Sequence, residues 1–238
     1  MNKTETLNEI IKNSKYLVFL GGAGVSTESG IPDFRSKTGL YNKSQEITAE
    51  VILSRSFFDK YPSEFYDFYF KNLVHKDVKP NITHKKLVEL EKMGILKAII
   101  TQNIDGLHEM AGSKCVYNLH GTIYKNRCMN CNKFYKLEEM PVSDIPKCAE
   151  CGGIIKPEVT LYEEPLDEDV LTESIKHISK ADTLIIAGTS LTVYPAAGLI
   201  NYFNGKNLII INKDKLNIQR DALVINEYLG EVFNKLEL

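Results

Sequence analysis

The sequence predicts an α/β fold built on a parallel sheet, and three observations carry that prediction. Short apolar runs alternate with stretches of helical periodicity along the 238 residues, the rhythm of strands joined by crossover helices. Tyr16-Leu-Val-Phe-Leu20 is apolar without alternation, as a strand covered on both faces must be. That run leads into Gly21-Gly-Ala-Gly24, a turn whose backbone can pass close to phosphate oxygens.

The elements follow in order. Expected strands are Tyr16–Leu20, Leu96–Thr101, Cys115–Leu119, Glu158–Tyr162, Thr183–Ala187 and Asn207–Ile211. Thr83 is expected to cap a helix with Leu87, Leu90 and Met93 on one side, ended by Gly94. Pro195 is expected to open a helix through Ala196, Leu199, Ile200 and Phe203, ended by Gly205. Two stretches break the rhythm. Residues 36–81 contain the aromatic-dense run Phe57 to Phe70 and are too long for a plain connection, so they read as a helical insertion. Tyr124 to Lys156 holds four cysteines in two pairs. The expected division is therefore 1–36, 82–123 and 157–238 for the sheet domain, 37–81 for the helical insertion and 124–156 for the cysteine module.

With 29 basic and 31 acidic side chains, the formal net charge of −2 provides no global field for nucleic acid or an anionic membrane. No apolar run approaches the roughly 18 residues of a membrane-spanning helix. Tyr16 to Val25 resembles a secretory core, but Glu5 and Glu9 precede it and cleavage there would destroy the glycine turn, so a cytoplasmic location is expected.

Cys128-x-x-Cys131 and Cys148-x-x-Cys151, separated by 16 residues, fit a four-thiolate zinc site. Four thiolates leave no open coordination position, so such a zinc is structural and holds a module with little apolar core of its own. Four incidental buried cysteines, or a redox Cys-x-x-Cys, are the blander readings; the doubled spacing and surrounding turn residues favour metal. Cys115, in an apolar strand, reads as core.

A dehydrogenase fingerprint starting at Gly22 would need glycine where Thr27 stands, which disfavours a standard hydride-transfer site. Thr101-Gln-Asn-Ile-Asp-Gly-Leu-His108 follows a strand at its carboxyl end, where open α/β sheets bind ligands. Asn103 and Asp105 there could equally form an Asx turn. His120 lies just past another strand; a lone histidine is commonly structural, but this position favours a general base. His84, His75 and His177 read as structural or solvated, and His108 is ambiguous. Gly188-Thr-Ser190 and Asn212 also end strands, where they suit ribose and phosphate contacts or ordinary helix caps.

Taken together, these residues resemble the sirtuins, the NAD-consuming protein-lysine deacylases. The resemblance runs from about Leu17 to the final helix and rests on Gly22-Ala-Gly-Val-Ser26 with Gly30-Ile-Pro-Asp-Phe-Arg35, on Thr101-Gln-Asn-Ile-Asp105, His120-Gly121, the cysteine quartet and Gly188-Thr-Ser190. It implies a Rossmann-like domain that binds NAD, and a smaller domain made of the helical insertion and a zinc-binding insertion with one structural zinc. Acyl-lysine of a protein or peptide would enter between the two. His120 would be the base, with Asn103 and Asp105 catalytic around the nicotinamide and ribose and Gln102 orienting the ribose. Gly22, Ala23, Gly24, Thr27, Asp33, Phe34 and Arg35 would form the cofactor loop, and Gly188, Thr189, Ser190, Asn212 and Lys213 the phosphate and adenosine side. Substrate would touch His120, Val159, Thr160, Leu161, Tyr162 and Val193. The implied reaction moves the acetyl group of acetyl-lysine to ADP-ribose and releases nicotinamide and 2′-O-acetyl-ADP-ribose. Carboxylate and amide dipoles would stabilise positive charge developing at the ribose, and Phe34 would exclude water from it.

Two departures stand out. The family's peptide-pairing strand reads Val-Val-x-Phe/Tyr-Gly-Glu, whereas this chain has Val159-Thr-Leu-Tyr-Glu-Glu164, whose Glu163 could favour basic flanking residues. Desuccinylating members carry a Tyr-x-x-Arg pair, but Gly39 to Gln45 offers Tyr41 and no arginine, so acetyl is the expected group. The rivals are mono-ADP-ribosyl transfer, removal of longer acyl chains, and a non-catalytic zinc-ribbon that binds nucleic acid. For the last, Lys125, Arg127, Lys133 and Lys136 are offset by Glu138, Glu139, Asp144 and Glu150. No nucleic-acid or membrane partner is expected, and the chain is expected to be a monomer.

Overall fold

The computed structural model describes residues 2–33, 39, 47–216 and 220–237. The chain opens with α1 (Lys3–Asn13) and β1 (Leu17–Gly21), then passes through α2 (Ala49–Ile52), α3 (Arg55–Lys60), α4 (Pro62–Asn72) and α5 (Ile82–Lys92). Next come β2 (Leu96–Thr101), α6 (Leu107–Ala111), β3 (Val116–Asn118), β4 (Gly121–Cys128), β5 (Phe134–Lys136) and β6 (Ile155–Val159). The remaining elements are α7 (Glu168–Lys180), β7 (Thr183–Ala187), β8 (Asn207–Ile211), β9 (Leu223–Ile225) and α8 (Leu229–Asn234).

Six strands form a parallel sheet in the order β3-β2-β1-β7-β8-β9. The chain winds outward from β1 on one side and from β7 on the other, so the strand order reverses between them. Crevices for ligands open at such a point, past the carboxyl ends of the strands. Residues of β1 divide between the two faces. Leu17 and Phe19 pack with Leu7 and Ile11 of α1, Leu87 and Leu90 of α5 and Phe233 of α8. Val18 and Leu20 pack with Ile178 of α7, Leu199 and Phe203. Covering on both faces is why the strand shows no polar alternation.

Three expected strands, Leu96–Thr101, Thr183–Ala187 and Asn207–Ile211, agree residue for residue, and that at Tyr16 is displaced by one position. The run Glu158–Tyr162 does not belong to the parallel sheet. Its first residues end β6, which pairs antiparallel with β4 in a separate three-stranded sheet, with Val159 opposite Gly121. Burial there alternates because one face alone meets a core. The sequence did not single out α1, with only Leu7 and Ile11 buried, the helices α6 and α7, or the strands β4, β5 and β9.

Two helix signals were displaced. Asn81, not Thr83, caps α5, its Oδ1 accepting from Thr83 N (3.0 Å) and His84 N (3.4 Å). The stretch after Pro195 is a 3₁₀ helix over Ala196–Tyr202 that ends at Phe203. Gly205 serves close approach instead, because a Cβ there would lie 2.2 Å from the Ala181 carbonyl oxygen.

The smaller lobe joins both insertions. Phe57 and Phe58 of α3 and Phe65, Tyr66, Phe68 and Tyr69 of α4 share one core with Ile123, Cys128, Tyr135, Cys148, Ile155, Val159 and Leu161. The Tyr66 hydroxyl donates to the Ile155 carbonyl. The aromatic density of the helical segment is thus explained: it supplies the apolar face that the polar cysteine segment lacks.

His84 of α5 and His108 of α6 are buried with ring centroids 4.7 Å apart. Burial lowers their pKa values to about 4 and about 3. Both are therefore neutral in the fold but protonate near 6.5 once unfolded, so the unfolded chain binds more protons between those limits. Their contribution to stability is complete above about pH 6.5 and is lost as pH falls toward 3. A His108→Phe variant is expected to lose less of its Tm than the unaltered protein between pH 7 and pH 4.5; equal losses in thermal denaturation would refute this.

Candidate active site

Four loops meet at the carboxyl end of the parallel sheet. After β1 the chain makes two 3₁₀ turns, Ala23–Val25 and Thr27–Ser29, and not the long helix of a dehydrogenase motif. The Thr27 hydroxyl donates back to the Gly24 carbonyl (3.0 Å), closing the loop on itself. The loop after β7 lies directly against it. Gly22 N donates to Ala187 O and Gly24 N to Gly188 O (2.8 Å). A Cβ on Gly24 would stand 2.7 Å from Gly188 Cα, and Gly188 itself has φ 59°. Only glycine permits this approach, which leaves main chain lining the crevice at the point where the strand order reverses.

The β2 loop carries a buried polar chain. Asn103 Nδ2 donates to Ser26 Oγ (3.0 Å), and Ser26 Oγ donates to Asp105 Oδ2 (2.6 Å). The other carboxylate oxygen accepts from Leu107 N (2.9 Å). Asp105 thus makes the Asx turn considered from sequence and also reaches across to the glycine loop. Burial raises its pKa, while the bonds from Ser26, Leu107 and Asn103 oppose that rise. Gln102 Nε2 donates to Thr189 Oγ1 (3.1 Å), spanning the end of β1 to join the β2 and β7 loops.

His120 follows β3. Its Nδ1 lies 2.9 Å from the carbonyl oxygen of Gln102, which can only accept, so Nδ1 carries the proton and Nε2 keeps a lone pair. Burial lowers the imidazole pKa and the Gln102 carbonyl partly restores it, so the neutral form prevails at neutral pH. Gly121 follows with φ 73°, pressed against the Glu158 carbonyl. The His120 carbonyl accepts from Thr160 N (3.0 Å), tying the segment after β6 to the histidine.

Asn212 bonds to the β9 end through its backbone N (to Ile225 O, 3.1 Å) and beside it Lys213 Nζ stands 5.0 Å from the Tyr228 ring centroid. Ser190 is exposed and its hydroxyl lies 2.8 Å from that of Thr192. Tyr162 N and O pair with Leu53 O and Arg55 N (both 3.0 Å), and Val193 is half-buried at the start of the 3₁₀ helix stretch. Asp33 is half-buried beyond the glycine loop. Phe34, Arg35 and Tyr41 lie outside the described residues. Sequence reasoning did not assign roles to Ser26, which links Asn103 to Asp105, or to Asn81, whose Nδ2 donates to Val25 O (2.8 Å) and Ser29 Oγ (3.1 Å). Ser26 sits within the quoted glycine motif and could have been found there; the reach of Asn81 to the glycine loop has no local sign.

The four paired cysteines converge. Their sulfurs all lie within 4.8 Å of one another, with Cys128 to Cys151 at 3.4 Å and Cys131 to Cys148 at 3.6 Å. These separations are too long for disulfides and match the roughly 3.8 Å edge of a tetrahedron with 2.3 Å zinc–sulfur bonds. Each pair is followed by a residue of positive φ, Asn132 (61°) and Gly152 (71°), which turns the chain round the ligands. The Tyr135 hydroxyl donates to Cys148 Sγ (3.1 Å). The donor set fits one zinc ion with no open position.

A model of the Sir2 family matches residues 22–195. Among curated proteins, an NAD-dependent protein deacetylase of Clostridium perfringens is 57% identical, covering 99% of this chain and 98% of its own length. One from Clostridium acetobutylicum is 52% identical over 98% and 97%. Among solved structures, a Sir2 variant with deacetylated p53 peptide and 3′-O-acetyl-ADP-ribose superposes with a TM-score of 0.91 at 36% identity, covering 98% of this chain and 97% of that one. A Sir2 homologue in complex with NAD gives 0.86 at 40% identity, over 98% and 91%. Sequence and fold agree, and the chain belongs to the Sir2 family.

Proposed function

We propose that the protein is an NAD-dependent protein-lysine deacetylase in which His120 is the general base, Asn103 and Asp105 line the reacting ribose, and the segment Val159–Tyr162 holds the substrate peptide. The observation that carries this reading is the tautomer of His120: its Nδ1–H is committed to Gln102 O, so Nε2 is free to take a proton. Bound NAD supplies the electrophile, a ribose carbon that accepts the acyl oxygen as nicotinamide departs.

The chain's own groups divide the remaining work. Asp105 and Asn103, oriented through Ser26, present fixed carboxylate and amide dipoles in a buried site, where they act on developing charge without reorganising. The glycine loop, with Ala23, Asp33, Phe34 and Arg35, and the Gly188-Thr-Ser190 loop would hold the phosphates, and Gln102 would fix the ribose. Asn212 and Lys213 would meet the adenosine, while Val193 would touch the peptide together with Thr160 and Leu161.

The sheet domain is assigned to residues 1–36, 82–123 and 157–238, the helical insertion to 37–81 and the zinc module to 124–156, with β4 and β6 crossing the last two boundaries. A cytoplasmic monomer with acetyl as preferred group completes the proposal. No described helix is long and apolar enough to cross a membrane. Near the zinc, Lys133 pairs with Glu150 (2.8 Å) and Arg127 with Glu158, which disfavours a nucleic-acid surface there.

Mass spectrometry of an acetyl-lysine peptide incubated with and without NAD tests the reaction. Deacetylation that depends on NAD and yields nicotinamide and O-acetyl-ADP-ribose is expected. ADP-ribose appearing on protein, with the peptide still acetylated, would transfer the assignment to mono-ADP-ribosylation.

A further inference from the structure

Glu163 stands where the family strand pattern carries glycine, and the structure gives that exchange a purpose. Residues Leu161 to Glu164 form a turn closed by Glu164 N donating to Leu161 O (3.1 Å), and Glu163 occupies its third position with φ 76°. That sign is what a type II turn requires and what glycine adopts without strain. A glutamate in this conformation needs compensation from its side chain. The Glu163 carboxylate supplies it: Oε2 accepts from Ser56 N and Oε1 from Ser56 Oγ, both at 2.9 Å. Ser56 lies in the first turn of α3 in the helical insertion.

Glu164 holds the turn as well. Glu164 Oε2 accepts from Leu161 N (2.8 Å) and Lys156 Nζ (3.1 Å), and Glu164 Oε1 from Arg55 (3.2 Å). Thr160 N is bound to the His120 carbonyl, and Tyr162 is paired with Leu53 and Arg55. The segment from 159 to 162 is therefore suspended between the histidine loop and α3, and Glu163 on Ser56, beside Glu164 on Arg55, closes its end onto the helix.

We infer that Glu163 is a positioning residue for substrate binding: its clasp on Ser56 holds the Val159–Tyr162 strand in the conformation that receives the peptide, in place of the conformational freedom of a glycine. The inference rests on the reading that the peptide lies along this strand. Glu163 acts through the strand and not through its charge, since the carboxylate already holds two donors; the pull on basic flanking residues expected from sequence would have to act through an engaged group.

Steady-state kinetics of the full chain with an acetyl-lysine peptide and NAD test this. Glu163→Ala, which keeps the strained conformation and loses the clasp, is expected to raise the peptide KM about fivefold, equivalent to about 1 kcal/mol, while kcat and the NAD KM stay within about twofold. Glu163→Gln, which keeps an acceptor for Ser56, and Glu163→Gly, which relieves the strain, should each recover part of the loss. A Ser56→Ala/Glu163→Ala double variant should be no worse than Glu163→Ala alone. An unchanged peptide KM in Glu163→Ala, an equal rise in the NAD KM, or additive effects in the double variant would overturn the clasp. An acetyl-lysine peptide N-methylated beside the lysine separates the underlying reading: with the unaltered enzyme its KM should rise, and an unchanged value would remove the strand-pairing assignment itself.

Discussion

Replacing His120 with alanine is expected to lower kcat/KM for deacetylation by about 10²- to 10⁴-fold, the span a positioned general base contributes. The effect should fall on turnover and not on folding, because the ring is only partly buried and is held by a hydrogen bond to the Gln102 carbonyl. The pH profile provides the sharper check. Burial lowers the imidazole pKa below its ordinary 6.5, so the unaltered enzyme should hold its activity through neutral pH. It should lose activity only as the ring protonates on the acid side. In His120→Ala that acid limb should disappear from the residual activity. A variant retaining more than a tenth of the activity with the same limb would remove His120 as the base.

Removal of zinc should have the largest effect on stability. Elemental analysis is expected to find one zinc per chain, and Cys148→Ser or chelation should cost on the order of 5 kcal/mol. That is less than the roughly 10–16 kcal/mol of peptides that have no fold without metal. For a chain of this size it corresponds to a fall of about 10–20 °C in Tm. The smaller figure follows from the shared core: Cys128 and Cys148 are buried among Phe65, Tyr66 and Ile155, so the module keeps apolar support when the metal leaves. Activity should fall with it, because β6 continues directly into the Thr160 segment that bonds to His120. Absence of zinc from an active preparation would show that the cysteine cluster is not a metal site.

The parts of this protein that were legible in the sequence are those whose signal is local. The strands Thr183–Ala187 and Asn207–Ile211 are apolar beyond their first residue because both their faces are covered, and that pattern needs no knowledge of partners. The metal ligands were legible because tetrahedral coordination imposes a two-residue spacing on each cysteine pair. Glu158–Tyr162 was misplaced because an apolar run states that it is buried and not which sheet buries it; Gly121 opposite Val159 decides that. The sequence reading places the cap at Thr83, whereas Asn81, also a capping type, holds that position. What selects Asn81 is the Val25 carbonyl, which its amide reaches from 56 residues away.

The sequence by itself determined the alternation that builds the parallel sheet, the glycines that let two loops touch, the cysteine quartet, and the family through its ordered motifs. Tertiary structure decided the reversal of strand order between β1 and β7, and the sharing of one core by the two insertions. It also decided the role of Ser26, which meets Asp105 across 79 residues, and the use of Glu163 as a clasp across 107. The physical reason is the range of each constraint. Backbone conformation, period and coordination spacing act between neighbours in the chain, whereas hydrogen-bond partners and packing faces exist only once distant segments have been brought together.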